Sequence, residues 1–197
     1  MGNILGKAYA INVLTPVKAW KTPILALAFN LFKIRATQWE LRLLAFIHFA
    51  RWVVLTRGNL PHFPTMAARE SFSRRYLLFE SNFNGSWNEY IDAFHAVLHF
   101  KLNLVWMWSD NFPGAVPLVP FKRYIDHNQL HNDFYYMAYP GSTIRDVQNA
   151  LAASQAFDAL QAALDAPDEA FHLAYRRFLV ATQNRLGAHG GPGPEMT

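Results

Sequence analysis

Residues Arg75 to Lys101, RYLLFESNFNGSWNEYIDAFHAVLHFK, read as a strand, a polar turn and an amphipathic helix in immediate succession. Tyr76, Leu77, Leu78 and Phe79 form a short apolar run of strand character, and Asn82, Asn84 and Gly85 supply turn chemistry where the chain must reverse. Ser86 suits a helix N-cap, and Glu89 three residues later completes a capping box. Trp87, Tyr90, Ile91, Phe94, Val97 and Leu98 then recur at three- and four-residue steps, so one face of this helix is apolar and fit to cover a sheet.

Upstream, Ala8 to Thr15 reads as a first strand. Pro16 and the apolar segment through Ile34 read as a helix that restarts after Pro23, with Leu25, Ala28, Phe29 and Phe32 on one face. A short helical connection around Gln38 to Leu44 leads into Phe46 to Leu55, FIHFARWVVL, whose β-branched and aromatic content is that of a central strand. The two-residue period places His48, Ala50 and Trp52 on one face and Phe49, Arg51 and Val53 on the other. Thr56 to Ser73, with Gly58, Asn59, Pro61 and Pro64, is a loop. Downstream of the central helix, Asn103 to Asp133 carries Pro113, Pro117 and Pro120 and reads as a long irregular connection of the kind that forms lids or walls. Phe134 to Tyr139, FYYMAY, reads as the fourth strand, followed by helices from Thr143 to about Leu164 and from Asp168 to about Leu186. The order is β-α-β-β-α-β, a ferredoxin-like α+β unit with extra C-terminal helices, forming one domain over residues 1–186 with a disordered tail at 187–197. A four-stranded sheet with two apolar faces and only two helices to cover one of them implies a homodimer or higher even oligomer.

The chain has 197 residues, 52% hydrophobic and 15% aromatic, enough for a well-formed core. It has no cysteine, which removes disulfides, thiolate catalysis and Cys-type metal sites and makes the cytoplasm the expected location. The longest uncharged apolar run, Thr22 to Phe32, is far short of the roughly 20 residues that span a bilayer. Charge is uneven. Residues 1–69 carry nine Lys or Arg against Glu40 alone, so the net +4 of the chain arises entirely in its first third. Basic residues interleaved with Trp20, Phe29, Phe32 and Trp39 suit an anionic membrane surface or an acidic partner, or simply form a solvated basic face. Without a helix-turn-helix, zinc-finger or RRM-type signature, nucleic acid is not expected as a partner. Lys18, Lys21, Lys33 and Arg35 bracket the first helix. If that helix is the crossover of the split β-α-β unit, membrane contact falls to whatever residues the crossover leaves exposed.

LTPVK at 14–18, HFARWVV at 48–54, YLLFESNFNGSW at 76–87 with EYIDAF at 89–94, PFK at 120–122 with YI at 124–125, and YYMAYP at 135–140 resemble a family of largely uncharacterised bacterial proteins. That family is distantly similar to the α+β barrels of dye-decolorising peroxidases and chlorite dismutases. The likeness runs from about Ala10 to Ala150 and implies a dimeric α+β barrel. The GxxDG run of the haem peroxidases is absent. The resemblance bears on the fold; the barrel-like element order, the aromatic-rich interior and the His/Tyr/Asp cluster near residues 126–136 suit a peroxidase- or monooxygenase-like oxidoreductase, haem-dependent or cofactor-free, acting on an apolar aromatic or lipid-like substrate. The alternative is a non-enzymatic ligand-binding or assembly module.

The residues themselves offer several candidate groups. His95/His99 and His127/His131 have the four-residue spacing that places two imidazoles on one helical face, although His95-Ala-Val-Leu-His99 lacks the Glu of a zinc-protease helix. His127, His131, Tyr135 and Asp126 form the candidate catalytic group, with Asn128, Asp133 and Tyr136 nearby in sequence. His48 is the candidate haem ligand or general base and Arg51 the candidate propionate or anion partner. The structural alternative is a hydrogen-bonded core histidine and an arginine paired to Glu80. One site using both His48 and Arg51 requires a bulge or a second protomer. Asn82, Asn84, Trp87 and Tyr90 suit the polar rim of a ligand cavity, with Trp106, Trp108 and Tyr136 as its aromatic wall; each also has a reading as turn, cap or core.

Overall fold

The computed structural model describes residues 3–33, 43–56, 58, 74–185 and 187. Its elements are β1 (Ile4–Leu5), β2 (Ala8–Val17), a single 3₁₀ turn (Ala19–Lys21), α1 (Thr22–Phe32), β3 (Ile47–Leu55), β4 (Arg75–Asn84), α2 (Trp87–Trp106), α3 (Leu118–His127), β5 (Gln129–Leu130), α4 (Ile144–Gln161) and α5 (Asp168–Thr182). This is a mixed α+β fold with an antiparallel sheet and five α-helices among the described residues. The sheet runs β3-β4-β2, and the far edge of β2 is shared by β1 and β5. Because β4 is antiparallel to both β2 and β3, those two strands are parallel and α1 is the crossover between them.

The strand, turn and helix expected over Arg75 to Lys101 all form. Arg75–Asn84 is the strand β4. Ser86 caps α2, its Oγ accepting from Glu89 N at 3.3 Å, while Glu89 Oε2 accepts from Ser86 N at 2.9 Å. α2 lays Tyr90, Ile91, Phe94, Leu98, Leu102, Val105 and Trp106 on the inner face of the sheet, all buried. There Tyr9, Ile11 and Val13 of β2 stand opposite Phe83, Ser81 and Phe79 of β4. A column of rings fills the layer: Phe83 stacks on Tyr90 at 3.9 Å, Tyr90 on Phe94 at 5.2 Å, and Trp52 lies 4.8 Å from Phe79. Fully burying one such ring stabilises the fold by about 1.5–3 kcal/mol, so this column dominates the core.

Several expectations change. Pro16 and Val17 extend β2, and α1 starts at Thr22 with Pro23 in its first turn, where the missing N–H costs nothing. The connection expected to be irregular from Asn103 to Asp133 begins inside α2 and contains α3, whose Phe121, Tyr124 and Ile125 join the core. The fourth strand is not Phe134–Tyr139. Phe134, Tyr136 and Tyr139 are exposed, and the edge of β2 is taken by Gln129–Leu130, fixed by an Asn12 Nδ2 hydrogen bond to Asn132 Oδ1 at 2.6 Å. The helical connection around Gln38 to Leu44, the link from Thr56 to Ser73 and the tail after Gly187 lie largely outside the described residues.

α4 and α5 form a hairpin. Thr143 caps α4 with Asp146, and the root of the hairpin is tied to the sheet by Ile144 N donating to Asn84 Oδ1 at 2.9 Å and by the Lys7–Asp146 ion pair at 3.6 Å. Gly6 has φ +61°, and a Cβ there would lie 2.0 Å from the carbonyl oxygen of Pro140, so only glycine fits this junction.

A candidate ligand cavity between α1, β3 and α2

α1 meets α2 across β3. Phe29 and Phe32 of α1, Ala50 and Trp52 of β3, and Leu98, Leu102 and Val105 of α2 line a cavity of about 300 Å³, with Lys33, Arg51 and Lys101 completing its lining. That is the lower end of the range for small-molecule sites, and the composition fits one: hydrocarbon and aromatic walls with a few polar groups. Each element contributes through its own period. Leu98, Leu102 and Val105 follow the helical step along α2, Phe29 and Phe32 follow it along α1, and Trp52 stands on the inner face of β3 beside Phe79. Trp52 also tilts against Phe29 at 6.4 Å, so the indole is shared between the core and the cavity wall. Its Nε1 is buried and has no hydrogen-bond partner.

A β-bulge decides the fate of His48. Ile47 pairs with Phe83 and Phe49 with Asn82, so His48 is the extra residue and leaves the face it would share with Ala50 and Trp52 in a regular strand. Ile47 takes the inner position. His48 is exposed, and its pKa is lowered by partial desolvation, with a side-chain hydrogen bond to Asn84 acting in the opposite direction. Arg51 pairs through Nε with Glu80 Oε2 on the neighbouring strand, the ion pair anticipated for it, and that pairing raises the guanidinium pKa further. Of the expected cofactor-binding pair, only Arg51 touches the cavity. Among the described residues, those lining the cavity include no imidazole, phenol, thiolate or thioether.

The other candidates are dispersed. Asp126 and His127 end α3 and are exposed, His131 is exposed beyond β5, and Tyr135 is half-buried with its pKa raised by desolvation. No hydrogen bond joins these four among the described residues. His95 and His99 do share a face of α2, their rings 6.2 Å apart, with His95 against Phe121 at 6.3 Å. Among the described residues no group of three or more His, Asp or Glu is placed to hold a metal ion.

The polar rim expected around the turn is structural. Asn84 donates to Lys7 O at 2.8 Å and accepts from Ile144 N, and Trp87 Nε1 donates to Gln129 Oε1 at 2.7 Å, tying α2 to β5. Asn82 faces outward between Ala10 and Phe49. Tyr90 and Trp106 are core residues; burial holds the Tyr90 hydroxyl far above the usual phenol range, against a weaker opposing contribution from Ser81. Trp108 donates to Leu104 O at 2.8 Å, and Tyr136 is exposed. The sequence reading missed the cavity because Phe29, Phe32, Leu98 and Leu102 carry the same pattern as core. The one available signal was a lysine at the border of each apolar face, Lys33 and Lys101.

No family model matches the chain, and neither a curated protein nor a solved structure matches it at a significant level.

Proposed function

We propose that this protein binds an apolar aromatic or lipid-like small molecule, carrying an anionic group, in the cavity between α1, β3 and α2. The observation that carries this reading is the lining itself: Phe29, Phe32, Trp52, Leu98, Leu102 and Val105 for the apolar body, with the Lys33 side chain for the head. These groups hold and orient a molecule, so the lining favours a binding module over an oxidoreductase. A medium-chain carboxylate such as dodecanoate serves as the probe. Titration calorimetry is expected to show saturable binding by the native chain and its loss in Ala50→Phe, which fills the cavity. Binding unchanged by Ala50→Phe would place the ligand elsewhere.

The strand order supports a second element of the proposal. With β5 as the fourth strand, β3-β4-β2-β5 is the order of a ferredoxin-like sheet, and the connection through α1 is its first crossover. The outer face of that sheet carries Leu14 opposite Leu78 opposite Val53, and beside them Asn12 opposite Glu80 opposite Arg51. The apolar members of these rows lie outside the main core cluster. An apolar row next to a row of opposite charges suits a second copy of the same face, and we infer a homodimer built through it, as in the α+β barrels the sequence resembles.

A further inference from the structure

α1 carries two apolar faces, and the fold uses one of them. Leu25 and Ala28 are buried, and Phe29 and Phe32 pack against the core. On a separate stripe Trp20, Ile24, Leu27 and Leu31 are 69%, 40%, 60% and 49% exposed. Their spacing of four, three and four residues aligns them along one line of the helix and the turn that precedes it. Crossover residues placed only to cover a sheet have no need of this second line.

The line is held rigidly. Arg75 donates to Ala19 O at 2.8 Å and to Thr22 Oγ1 at 2.6 Å, and Thr22 Oγ1 donates to Ala19 O at 2.7 Å, so the entry to α1 is stapled to the start of β4. Its N-terminal end is basic. Lys18 and Lys21 stand at its N-terminal end, and no Asp or Glu occurs in the chain before Glu40. The Lys21 ammonium lies over the rings of Trp20 and Trp108, at 5.3 Å and 5.6 Å from their centroids. α1 has 11 residues, and no described helix is long and apolar enough to cross a membrane, so this line is suited to lie in a bilayer interface and not to span it. An indole at one end, aliphatic side chains along the line and lysines beside them are what the boundary between headgroups and acyl chains accommodates.

We propose that Trp20, Ile24, Leu27 and Leu31, with Lys18 and Lys21, form a docking surface for an anionic lipid bilayer, with α1 lying in the plane of the interface. Exposed apolar side chains predominate along the line, which selects a surface that offers hydrocarbon beneath its charges over a purely acidic protein or nucleic acid. The surface is independent of the cavity and of the outer sheet face.

Vesicle flotation of the full chain at low salt tests this. The protein is expected to float with vesicles of phosphatidylcholine and phosphatidylglycerol and to stay behind with phosphatidylcholine alone. Lys18→Glu with Lys21→Glu is expected to lower the partition at least about 30-fold, since each basic residue near such a surface is worth about fivefold. Leu27→Glu, on the exposed stripe, is expected to abolish flotation with an unchanged circular dichroism spectrum; should it disturb folding, Ile24→Gln reads the same stripe. Absence of flotation of the native chain on the anionic vesicles would overturn the proposal, as would flotation indifferent to both the charge and the stripe variants. A Leu27→Glu protein that instead loses a self-association seen without vesicles would reassign the stripe to contact between copies.

Discussion

Ser86 and Glu89 show how far a single pair of residues reaches. Glu89 accepts from the backbone N–H of Ser86 and from its hydroxyl, and these bonds hold its carboxyl below the ordinary glutamate range. A carboxyl with a lowered folded-state pKa contributes stability that is fully present above its unfolded pKa and is lost as pH falls through the folded one. Ser86→Ala is expected to cost about 1 kcal/mol at neutral pH, and less in acid, in urea unfolding followed by circular dichroism. An equal loss at both pH values would mean that the cap acts without the glutamate. The Ser-x-x-Glu spacing made this pair legible from the sequence alone. His48 was not legible in the same way, because the bulge that displaces it depends on how β3 registers against β4. Its folded pKa is lowered, so the folded state favours the neutral imidazole and its stability falls as pH drops through the unfolded histidine value. An NMR titration is expected to place its midpoint below 6.5, the ordinary value; a midpoint above it would contradict the partial burial of the ring.

At the scale of elements, the fourth strand separates local from tertiary information. FYYMAY has the β propensity of a strand, yet the edge of β2 accepts Gln129–Leu130, two residues with no strand signal of their own. What selects them is the end of α3 immediately before them and a set of side-chain bonds: Trp87 to Gln129, Asn12 to Asn132, and Asn132 N to Asn3 Oδ1 at 2.8 Å. Propensity is a weak prior, and position after a packed helix overrides it. Phe134→Ser and Tyr136→Ser are therefore expected to leave stability within about 0.5 kcal/mol, as exposed sites do, whereas Asn12→Ala costs about 1 kcal/mol by taking the Asn12 donor from Asn132 Oδ1. Thermal unfolding of the three variants reads the difference, and a larger loss from Phe134→Ser than from Asn12→Ala would restore the expected strand. α2, by contrast, was legible almost residue by residue, because its apolar step is long and its cap explicit.

For the whole molecule, the inner layer was legible and the outer surfaces were legible only as a surplus of apolar residues. The element pattern predicts two helices to cover one of two sheet faces; the structure has α1 and α2 on the inner side with α3 packed beside them, and α4 and α5 packed on each other, Phe157 against Phe178 at 6.2 Å. The proposed pairing of outer sheet faces predicts a dimer in sedimentation equilibrium at micromolar concentration. Leu78→Lys, which places an unpaired charge in the middle of the apolar row, is expected to shift it to monomer, while Tyr139→Ser, on an exposed residue away from the sheet, leaves it a dimer. A native chain that sediments as a monomer throughout would remove the outer face from any role in assembly.

The position of β2 in the sheet has a consequence for how the protein is made. β2 is the most completely buried strand and, apart from the two residues of β1, its partners are β4 and β5, which emerge from the ribosome long after it. During synthesis AYAINVLTPV is therefore a hydrophobic ribbon with both edges bare, waiting for the chain that will clothe it. Its own sequence holds no acidic or basic side chain to discourage pairing with a neighbour's nascent strand. Yield in a cell should depend on chaperone capacity and translation speed more than the stability of the finished fold would suggest.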